Sequence, residues 1–423
     1  MRVWYVSAYD QPKGQSTRTY DYSKELVARG CDVTMFCNSY CHFTHREHLE
    51  PGEQWRVEFV DDIRVVWLRT YHYTGNGLGR GVNMLTNVWR VLRVTAALTL
   101  RPDVVLGPSV PLLTGWAAMY LARNHDVPFV FEIRDVWPDA LVELGGLKKT
   151  SLLYSVFRFI EKQLYRRAAR ISSTLPCLGE HVRLAGSDPR KIVCIPNGAD
   201  VSQFVDGQDY DGGKRPLVVM YVGGFGLAHD VPTIIRSAAI LRDEGSEDFR
   251  FVIIGGGVGK AACEAEAVKC GLTNLMFLPP VLKSSLPAVQ AQADILVAAV
   301  TDSPSFRFGL NLNKLCAYFA SNRPVILAAN APNDPVREAG AGLSVGAEDP
   351  AEMARALREL LAAGPMERKR LGENARRYAE NTLSLRALGS KMESMLRSAI
   401  EEYRAVKRHS GKNVTQGRVN DVK

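Results

Sequence analysis

The chain has 423 residues, of which 46% are hydrophobic and 23% are charged, a balance typical of a soluble globular protein with room for two domains. No uninterrupted run of about 18 apolar residues is present, which excludes a spanning helix, and the eight scattered cysteines fit reduced thiols better than a disulfide framework. The net charge of +8 favours anionic partners, but no nucleic-acid recognition module with interleaved aromatic residues is visible.

The opening stretch MRVWYVSAYD predicts a first strand rather than a signal peptide, so we expect a cytoplasmic protein. From there, short apolar runs alternate with amphipathic segments of helix length, which is the pattern of stacked βα units. In the first half of the chain, strands are predicted at 3–7, 32–36, 63–68, 103–107, 128–133 and 191–196, and helices at 16–29, 82–99, 110–124 and 151–169. After Phe204, a polar, turn-rich segment without periodicity predicts a linker over 205–216.

A second series of alternating elements follows the linker. Its strands are predicted at 217–224, 250–257, 274–280, 294–300 and 323–329, and its later helices at 350–363, 365–380 and 384–405. We therefore predict an α/β fold with two facing, doubly wound, Rossmann-like domains, residues 1–204 and 217–382, and a cleft between them. A C-terminal helix over 383–405 is expected to pack back on the N-terminal domain, followed by a disordered tail over 406–423.

Two predicted helices of the first domain combine basic and apolar residues. Four arginines and no acid lie between Arg80 and Arg101, and seven basic residues and one acid lie between Lys148 and Arg170. Such a face can rest on anionic lipid headgroups, which predicts peripheral contact with the inner face of a membrane. The alternative is that the apolar residues face the core and the arginines are merely solvated.

Two glycine turns stand between a strand and a helix in the second domain, in YVGGFGLAHDVPTIIRSA (221–238) and in IIGGGVGKAA (253–262). Glycine lets the backbone approach a phosphate closely, and the amides of the following helix can point at it. Two such turns in consecutive βα units favour phosphate binding, although tight packing alone also explains glycine at these places.

The junction PNGAD (196–200), the glycine turn after Tyr221 and the segment NKLCAYFASNRPVI (313–326) together resemble glycosyltransferase family 4, whose fold is of the GT-B type. The segments FEIRDVWPDALVELG (131–145) and YHYTGNGLGRGVNML (71–85) more narrowly resemble the WbuB-type transferases of bacterial surface polysaccharides, which move amino sugars. The resemblance covers most of the chain. It implies transfer of a sugar from a nucleotide diphosphate, with retention and without a bound metal.

The resemblance places the nucleotide in the C-terminal domain, as a UDP-sugar substrate and with no other cofactor. The base is expected near Met276–Pro280, and the diphosphate between the first glycine turn and the helix that opens at Leu312. The predicted donor-binding residues are Gly223, Gly224, Phe225, Gly226, Gly256, Leu278, Arg307, Asn311, Asn313 and Lys314. Arg134 and Asp135 fall where the family often has a His-Asp pair near the transferred sugar, so we predict Arg134, Asp135 and Lys314 as catalytic; the alternative for Arg134 and Asp135 is a local ion pair that ends a strand.

The chain departs from the family pattern at four positions. The two usual glutamates fall on Gly309 and Ala317, and the usual arginine and lysine of the diphosphate site fall on Gly224 and His229. Fixed donors must still stabilise the departing nucleotide, and we expect Lys314 and Arg307 to replace the lost cations. Without the two glutamates there is less negative charge near the phosphates, which is consistent with the loss of the two cations there.

The N-terminal domain is implied to bind the acceptor, a lipid-linked glycan. The predicted acceptor-binding residues are His42, Tyr71, Asn76 and Arg80, and Arg80 could pair with a pyrophosphate. The stretch CNSYCHFTHREH (37–48) contains ligand types suited to zinc, but its spacing is irregular and no second cluster completes a site, so we expect no metal.

These observations favour a transferase of a sugar, such as an N-acetylated deoxyamino sugar, in polysaccharide synthesis. The alternative is a non-catalytic nucleotide-sugar or glycan-binding scaffold of a polysaccharide assembly complex, which Gly309 and Ala317 make plausible. A sugar-nucleotide epimerase or a phosphorylase of similar fold is a third interpretation, because a fold alone does not determine chemistry.

Overall fold

The computed structural model describes residues 1–14, 17–42, 44–75, 77–143, 146–204, 210 and 216–419, with side chains described up to residue 409. The chain divides into two compact units, Met1–Pro196 with Gly389–Lys423, and Asn197–Leu388. The division lies inside the PNGAD segment rather than after Phe204, where we predicted the end of the first domain. Most of the predicted linker lies outside the described residues.

The first unit contains a sheet of eight strands in the order β3-β4-β2-β1-β5-β6-β7-β8. All neighbours are parallel except β3 and β4, which are antiparallel. The strands are β1 (Arg2–Val6), β2 (Asp32–Asn38), β3 (Trp55–Val60), β4 (Ile63–Leu68), β5 (Val104–Pro108), β6 (Phe129–Ile133), β7 (Arg170–Ser173) and β8 (Ile192–Cys194). The sequence missed β3 and β7.

The missed strands have different physical explanations. Strand β3 lies at the edge of the sheet, alternates between exposed and half-buried residues, and turns into β4 through Asp61 and Asp62, both with positive φ. Alternation followed by a two-residue turn is a hairpin pattern, and it could have been recognised. Strand β7 has only four residues, too few to give a periodic signal.

Several helices pack against this sheet. The unit contains α1 (Arg18–Ala28), α2 (Leu78–Ala97), α3 (Leu112–His125), α4 (Asp139–Glu143), α5 (Leu152–Arg167) and α6 (Gly179–Leu184). Helix α3 approaches β5 closely, since a Cβ atom added at Gly115 would lie 2.8 Å from the carbonyl oxygen of Pro108. Glycine is required at this contact because no side chain fits there.

The second unit contains a fully parallel sheet of six strands in the order β11-β10-β9-β12-β13-β14. The strands are β9 (Leu217–Val222), β10 (Phe249–Ile254), β11 (Leu275–Leu278), β12 (Ile295–Ala299), β13 (Val325–Ala328) and β14 (Gly342–Val345). The helices are α7 (Val231–Asp243), α8 (Lys260–Lys269), α9 (Leu286–Gln290), α10 (Asn313–Ala320), α11 (Pro335–Ala339), α12 (Pro350–Ala362) and α13 (Gly364–Tyr378).

Alternate residues of β9 enter two separate cores on the two faces of this sheet. Leu217, Val219 and Tyr221 belong to one core, and Met220 and Val222 belong to the other. A strand buried on both faces is typical of a doubly wound parallel sheet. The α/β fold with two Rossmann-like units is thus confirmed.

The last helix, α14 (Leu385–Val419), follows a π-helical turn at Ala379–Leu383. It begins in the second unit and continues into the first. It enters the range over which we predicted a disordered tail, 406–423, but side chains are described only up to residue 409, so that prediction stays a prediction. On this helix, Arg404 forms an ion pair with Asp103 at 3.4 Å, and Lys407 forms one with Asp126. In the described part of the chain, none of the helices is both long and apolar enough to cross a membrane.

Candidate functional site

Two glycine turns meet at the carboxyl ends of β9 and β10. The amide of Gly223 donates to the carbonyl of Ile254 at 3.0 Å, and the amide of Phe225 donates to the carbonyl of Gly256 at 3.0 Å. A Cβ atom at Gly255 would lie 1.8 Å from the carbonyl oxygen of Gly223, so packing alone explains that glycine. At Gly224 no atom lies nearer than 3.5 Å to such a Cβ, and the residue is exposed. Packing therefore leaves Gly224 unexplained, whereas close approach of a phosphate would explain it.

Lys314, in the first turn of α10, extends to the same glycine turn. Its Nζ donates to the hydroxyl of Tyr221 at 2.7 Å, and a Cβ atom at Gly223 would lie 2.8 Å from it. Burial lowers the pKa of Lys314 to about 7, and no Asp or Glu in the described part of the chain forms an ion pair with it. The fold thus holds a lysine amine beside the glycine turn, and no carboxylate among the described residues neutralises its charged form.

Tyr221 connects Lys314 to the backbone of the glycine turn, and sequence reasoning missed it. The side chain is fully buried, and its hydroxyl donates to the carbonyl of Gly224 at 2.6 Å. The Lys314 Nζ also lies 4.1 Å from the centre of the Tyr221 ring. A tyrosine near the end of an apolar strand resembles an ordinary core residue. The available signal was its position two residues before a pair of glycines.

The other predicted donor-binding residues have contacts of their own. Arg307 donates to the carbonyl of Pro304 at 2.7 Å, and its guanidinium lies 4.3 Å from the centre of the Phe308 ring. The side-chain oxygen of Asn311 accepts the amide of Asn197 at 3.1 Å, and the Leu278 carbonyl accepts Lys260 Nζ at 2.9 Å.

Asn313 opens α10 and is exposed. Of the predicted donor-binding set, the structure brings together the 223–226 turn, Gly256 and Lys314.

The backbone explains one of the two missing glutamates. Gly309 has φ of 102° and ψ of 162°, a conformation that is essentially restricted to glycine. The following residue is fixed by Asn333, whose side chain accepts the Leu310 amide at 2.6 Å and donates to the Leu310 carbonyl at 3.0 Å. A glutamate at 309 would require a different backbone. Ala317 is half-buried in α10, and nothing in the structure explains its departure from the family pattern.

His229 does not replace the lost cation. Burial, with the charge of Lys314 as a smaller cause, lowers the pKa of His229 to about 4, so the imidazole is neutral at pH 7. The ring nitrogen Nδ1 accepts the Gly226 amide at 3.4 Å. The positive charge at this turn therefore depends on Lys314.

In the first unit, Arg134 belongs to a buried ion network at the carboxyl end of β6. Its guanidinium binds Asp10 at 2.7 Å, Glu132 at 2.8 Å and the Thr19 hydroxyl at 2.7 Å. Arg18 contacts Glu132 at 3.0 Å and also donates to the carbonyl of Pro196 at 2.8 Å. The neighbouring charges raise the pKa of Arg134 and, despite burial, lower the pKa of Glu132. Two arginines thus balance two fully buried carboxylates.

The next residue, Asp135, forms no ion pair with this network among the described residues. Its side chain is exposed, and its backbone carbonyl accepts the Ser109 hydroxyl at 2.8 Å. Although the residue as a whole is exposed, desolvation by nearby protein groups raises the pKa of the Asp135 carboxyl, and the charge of Arg134 partly offsets this effect. The two adjacent catalytic predictions therefore occupy different environments, one committed to buried ion pairs and the other accessible.

The predicted acceptor residues His42 and Arg80 both contact Tyr9. Arg80 donates to the Tyr9 hydroxyl at 3.0 Å, and the His42 ring lies 4.9 Å from the Tyr9 ring. The guanidinium also lies 6.0 Å from the ring of Trp137, two residues after Asp135. The sequence analysis did not single out Tyr9 or Trp137.

The remaining predictions in this unit have separate outcomes. Tyr71 is exposed, its amide donates to the Thr86 hydroxyl at 3.1 Å, and Asn76 lies outside the described residues.

Among the residues that the structure describes, no group of three metal-ligating side chains could hold an ion. In the 37–48 stretch, His42 and His45 contact the hydroxyls of Tyr73 and Tyr40 at 2.5 and 3.0 Å.

Residues 13–198 match the Glycosyl transferase 4-like domain, and residues 216–363 match the Glycosyl transferases group 1 domain. The glycosyl transferase WcaI of Escherichia coli K12, assigned to colanic acid biosynthesis, is 25% identical over 205 residues, which are 46% of this chain and 50% of WcaI. A D-inositol 3-phosphate glycosyltransferase of Kineococcus radiotolerans is 26% identical over 389 residues, 87% of this chain and 86% of the relative. The chain spans about half the length of the first curated relatives that it matches.

The Anabaena protein HepE, solved in complex with UDP-glucose, has a similar structure. The TM-score is 0.65 at 14% identity, over 94% of this chain and 100% of HepE, and this likeness concerns the fold alone. The two matched domains follow one another in the order of the two Rossmann-like units and together extend over most of the chain. The chain therefore combines a glycosyl transferase 4-like domain with a group 1 glycosyl transferase domain, in the GT-B fold.

Proposed function

We propose that this protein transfers a sugar from a UDP-sugar to a lipid-linked glycan in bacterial polysaccharide synthesis, with retention and without a bound metal. The observation that carries the proposal is the half-buried Lys314 ammonium, which lies against the glycine turn of the second unit without a carboxylate partner in the described chain. A buried cation is costly unless a negative charge accompanies it, and the donor diphosphate would supply that charge.

The donor diphosphate would lie along the 223–226 turn, where the exposed backbone of Gly224 leaves room for its oxygens. Lys314 would bind these oxygens through its ammonium, and the free amides that open α10 would add partial positive charge. The departing UDP carries about two negative charges, and donors fixed in advance stabilise such a leaving group effectively. The UDP-glucose bound to HepE supports the choice of a UDP-sugar.

The acceptor would bind to the first unit near Asp135, Arg80 and Tyr9. The accessible Asp135 carboxylate would accept a hydrogen bond from a sugar hydroxyl close to the reacting carbon. Arg80, held by the Tyr9 hydroxyl, would bind the pyrophosphate that links the acceptor glycan to its lipid. The assignment of WcaI to colanic acid biosynthesis supports a polysaccharide product, and the WbuB-type resemblance favours an N-acetylated deoxyamino sugar.

The test is an assay of purified protein with a panel of UDP-sugars and lipid-linked acceptors, with UDP release and product mass as readouts. We expect UDP release that depends on the acceptor, retention of anomeric configuration, and unchanged turnover in the presence of EDTA. Tight binding of UDP-sugars without turnover across the panel would favour the scaffold alternative. An altered sugar nucleotide formed without any acceptor would indicate an epimerase instead.

The cytoplasmic face of the membrane is the proposed location, with helices α2 and α5 in contact with the lipid. Large apolar side chains on both helices are solvent-exposed, among them Leu85 at 61%, Trp89 at 49% and Phe159 at 58%. Arg90 lies beside the Trp89 ring, 4.5 Å from its centre. Exposed apolar groups beside basic ones suit an anionic lipid surface, whereas apolar residues that all face the core would not be exposed.

We expect the protein to sediment with vesicles that contain anionic phosphatidylglycerol and to stay in solution with neutral phosphatidylcholine. The double substitution Trp89→Ser and Phe159→Ser should lower the bound fraction at least about fivefold, because apolar burial and charge attraction add. Met366→Ser is the matched control, since Met366 is 78% exposed but lies in the second unit. Equal binding of the double variant and the control would contradict the proposal.

A further inference from the structure

We infer that Tyr221 is a positioning residue, which holds the Lys314 ammonium over the glycine turn so that both meet the donor diphosphate. The inference rests on the proposed function, because it assumes that Lys314 binds the donor. Tyr221 itself lies beneath Lys314 and would act through it.

One hydroxyl connects the two halves of the proposed phosphate site. The Tyr221 oxygen accepts a hydrogen bond from Lys314 Nζ at 2.7 Å and donates one to the carbonyl of Gly224 at 2.6 Å. A lysine side chain has four rotatable bonds, and its ammonium samples many positions unless a partner fixes it. Because Tyr221 is fully buried in β9, its own position is determined by the core of the unit.

The aromatic ring stabilises the cation without adding negative charge. Lys314 Nζ lies 4.1 Å from the ring centre, within the range of a cation–π interaction, which strengthens when the cation is desolvated. A carboxylate in the same position would form a stronger ion pair, but it would also repel the diphosphate. A tyrosine therefore suits an ammonium that must be held in place and yet remain available to an anion.

Two titratable groups face Lys314, according to the described contacts: Tyr221 on β9 and His229 after the glycine turn. Tyr318 on α10 interacts with Tyr221 rather than with Lys314, and its hydroxyl binds the backbone of Val222. Burial lowers the pKa of His229 to about 4 and raises the pKa of both tyrosines, so all three are neutral near pH 7. If the activity changes with pH near neutrality because of a group at this turn, that group is therefore Lys314.

The experiment compares Tyr221→Phe with Tyr318→Phe in the transfer assay. Tyr221→Phe removes the only hydroxyl that Lys314 contacts in the described structure, so we expect the KM for the UDP-sugar to rise about tenfold with a smaller change in kcat. Tyr318→Phe removes an equally buried hydroxyl that binds backbone next to the same turn, and it should leave the donor KM within about twofold. Melting temperatures of both variants establish that they fold.

The pH profile separates positioning from a merely structural role. The Tyr221 oxygen stabilises the charged form of Lys314, so its removal should lower the pKa of the lysine. In Tyr221→Phe, the fall of kcat/KM with rising pH should therefore occur at a lower pH than in the natural protein. At pH 6, where more of the lysine is charged, kcat/KM of the variant should partly recover. An unchanged profile and an unchanged donor KM would overturn the inference, as would an equal rise of KM in both tyrosine variants.

Lys314→Ala distinguishes failure of the inference from failure of the proposed function. If Lys314→Ala is fully active, the donor site itself is wrong. If Lys314→Ala is impaired but Tyr221→Phe is not, only the positioning role is wrong. The double variant should be no more impaired than Lys314→Ala alone, because a residue that acts through the lysine has nothing to position once the lysine is absent.

Discussion

Replacement of Lys314 by alanine is expected to reduce the rate of sugar transfer at least about tenfold, equivalent to about 1.4 kcal/mol of transition-state stabilisation. Lys314 is the cation that the described structure places at the glycine turn, because His229 is neutral and Arg307 is engaged with Pro304 and Phe308. The measurement is kcat/KM for the UDP-sugar at saturating acceptor. Normal turnover by a folded Lys314→Ala protein would contradict the donor site.

The same lysine predicts a pH dependence. Its pKa is lowered to about 7 in the free protein, and the charged form is the one that binds the diphosphate. We therefore expect kcat/KM to fall as the pH rises through about 7, and this limb should be absent from Lys314→Ala. Bound UDP-sugar favours the ammonium, so the corresponding fall in kcat should occur at a higher pH.

Stability should change in the opposite direction from activity. The unfolded chain keeps the lysine proton up to about pH 10.4, whereas the folded protein releases it near pH 7. Between these values the unfolded state binds more protons, so the free energy of unfolding rises with pH. Lys314→Met, which keeps the side-chain volume better than alanine, should be more stable than the natural protein at pH 6, with a smaller difference at pH 9. Urea unfolding at the two pH values measures this difference.

Replacement of Arg134 by alanine is expected to lower the free energy of unfolding by about 3–5 kcal/mol, because it leaves Asp10 and Glu132 buried without a full set of partners. Both carboxylates are completely buried, and Arg134 binds each of them. Arg18 still contacts Glu132 in the variant, but the network then has one positive charge for two buried negative charges. Urea unfolding followed by circular dichroism measures the loss.

Asp135→Asn is the matched comparison, one residue further along the chain. Asp135 is an exposed residue and makes no ion pair within the described structure, and folding raises the pKa of its carboxyl rather than lowering it, so the free energy of unfolding should not fall. Transfer activity should nevertheless fall at least about tenfold if the carboxylate binds the sugar. A stable and fully active Asp135→Asn protein would remove Asp135 from the proposed site, and an unchanged stability of Arg134→Ala would contradict the account of the ion network.

Much of the fold was predictable because the inner strands of both sheets are buried and continuous in their apolar character. Strands β1, β9 and β12, for example, are apolar runs flanked by turns and helices, and each lies inside its sheet. Strand β14 was missed because its sequence, GLSV, has only two aliphatic residues, Leu343 and Val345, which is too few for a recognisable strand pattern. It also begins with glycine, at φ of 156°. Edge strands of this kind depend on the neighbouring strand, which a local pattern does not contain.

The candidate site was predictable only in part. A glycine pair after a strand is a local pattern, and it identified the 223–226 turn, whereas Lys314 was identified through the resemblance to glycosyltransferase family 4. The role of Arg134 depends on Asp10 and Thr19, which are distant in sequence, so no local pattern could separate it from Asp135. Similarly, the conformation of Gly309 shows why glutamate is excluded there, and backbone angles cannot be read from residue types.

The path of α14 has a consequence for how the protein is made. The helix contributes Met392, Leu396 and Ala399 as buried residues, and its portion from Gly389 onward belongs to the first unit. The second unit is therefore synthesised before the first one is complete. On the ribosome, the first 196 residues emerge without the helix that covers part of their surface, and they must wait for the whole of the second unit to be translated. A nascent chain arrested at Leu388 would expose this apolar surface to chaperones.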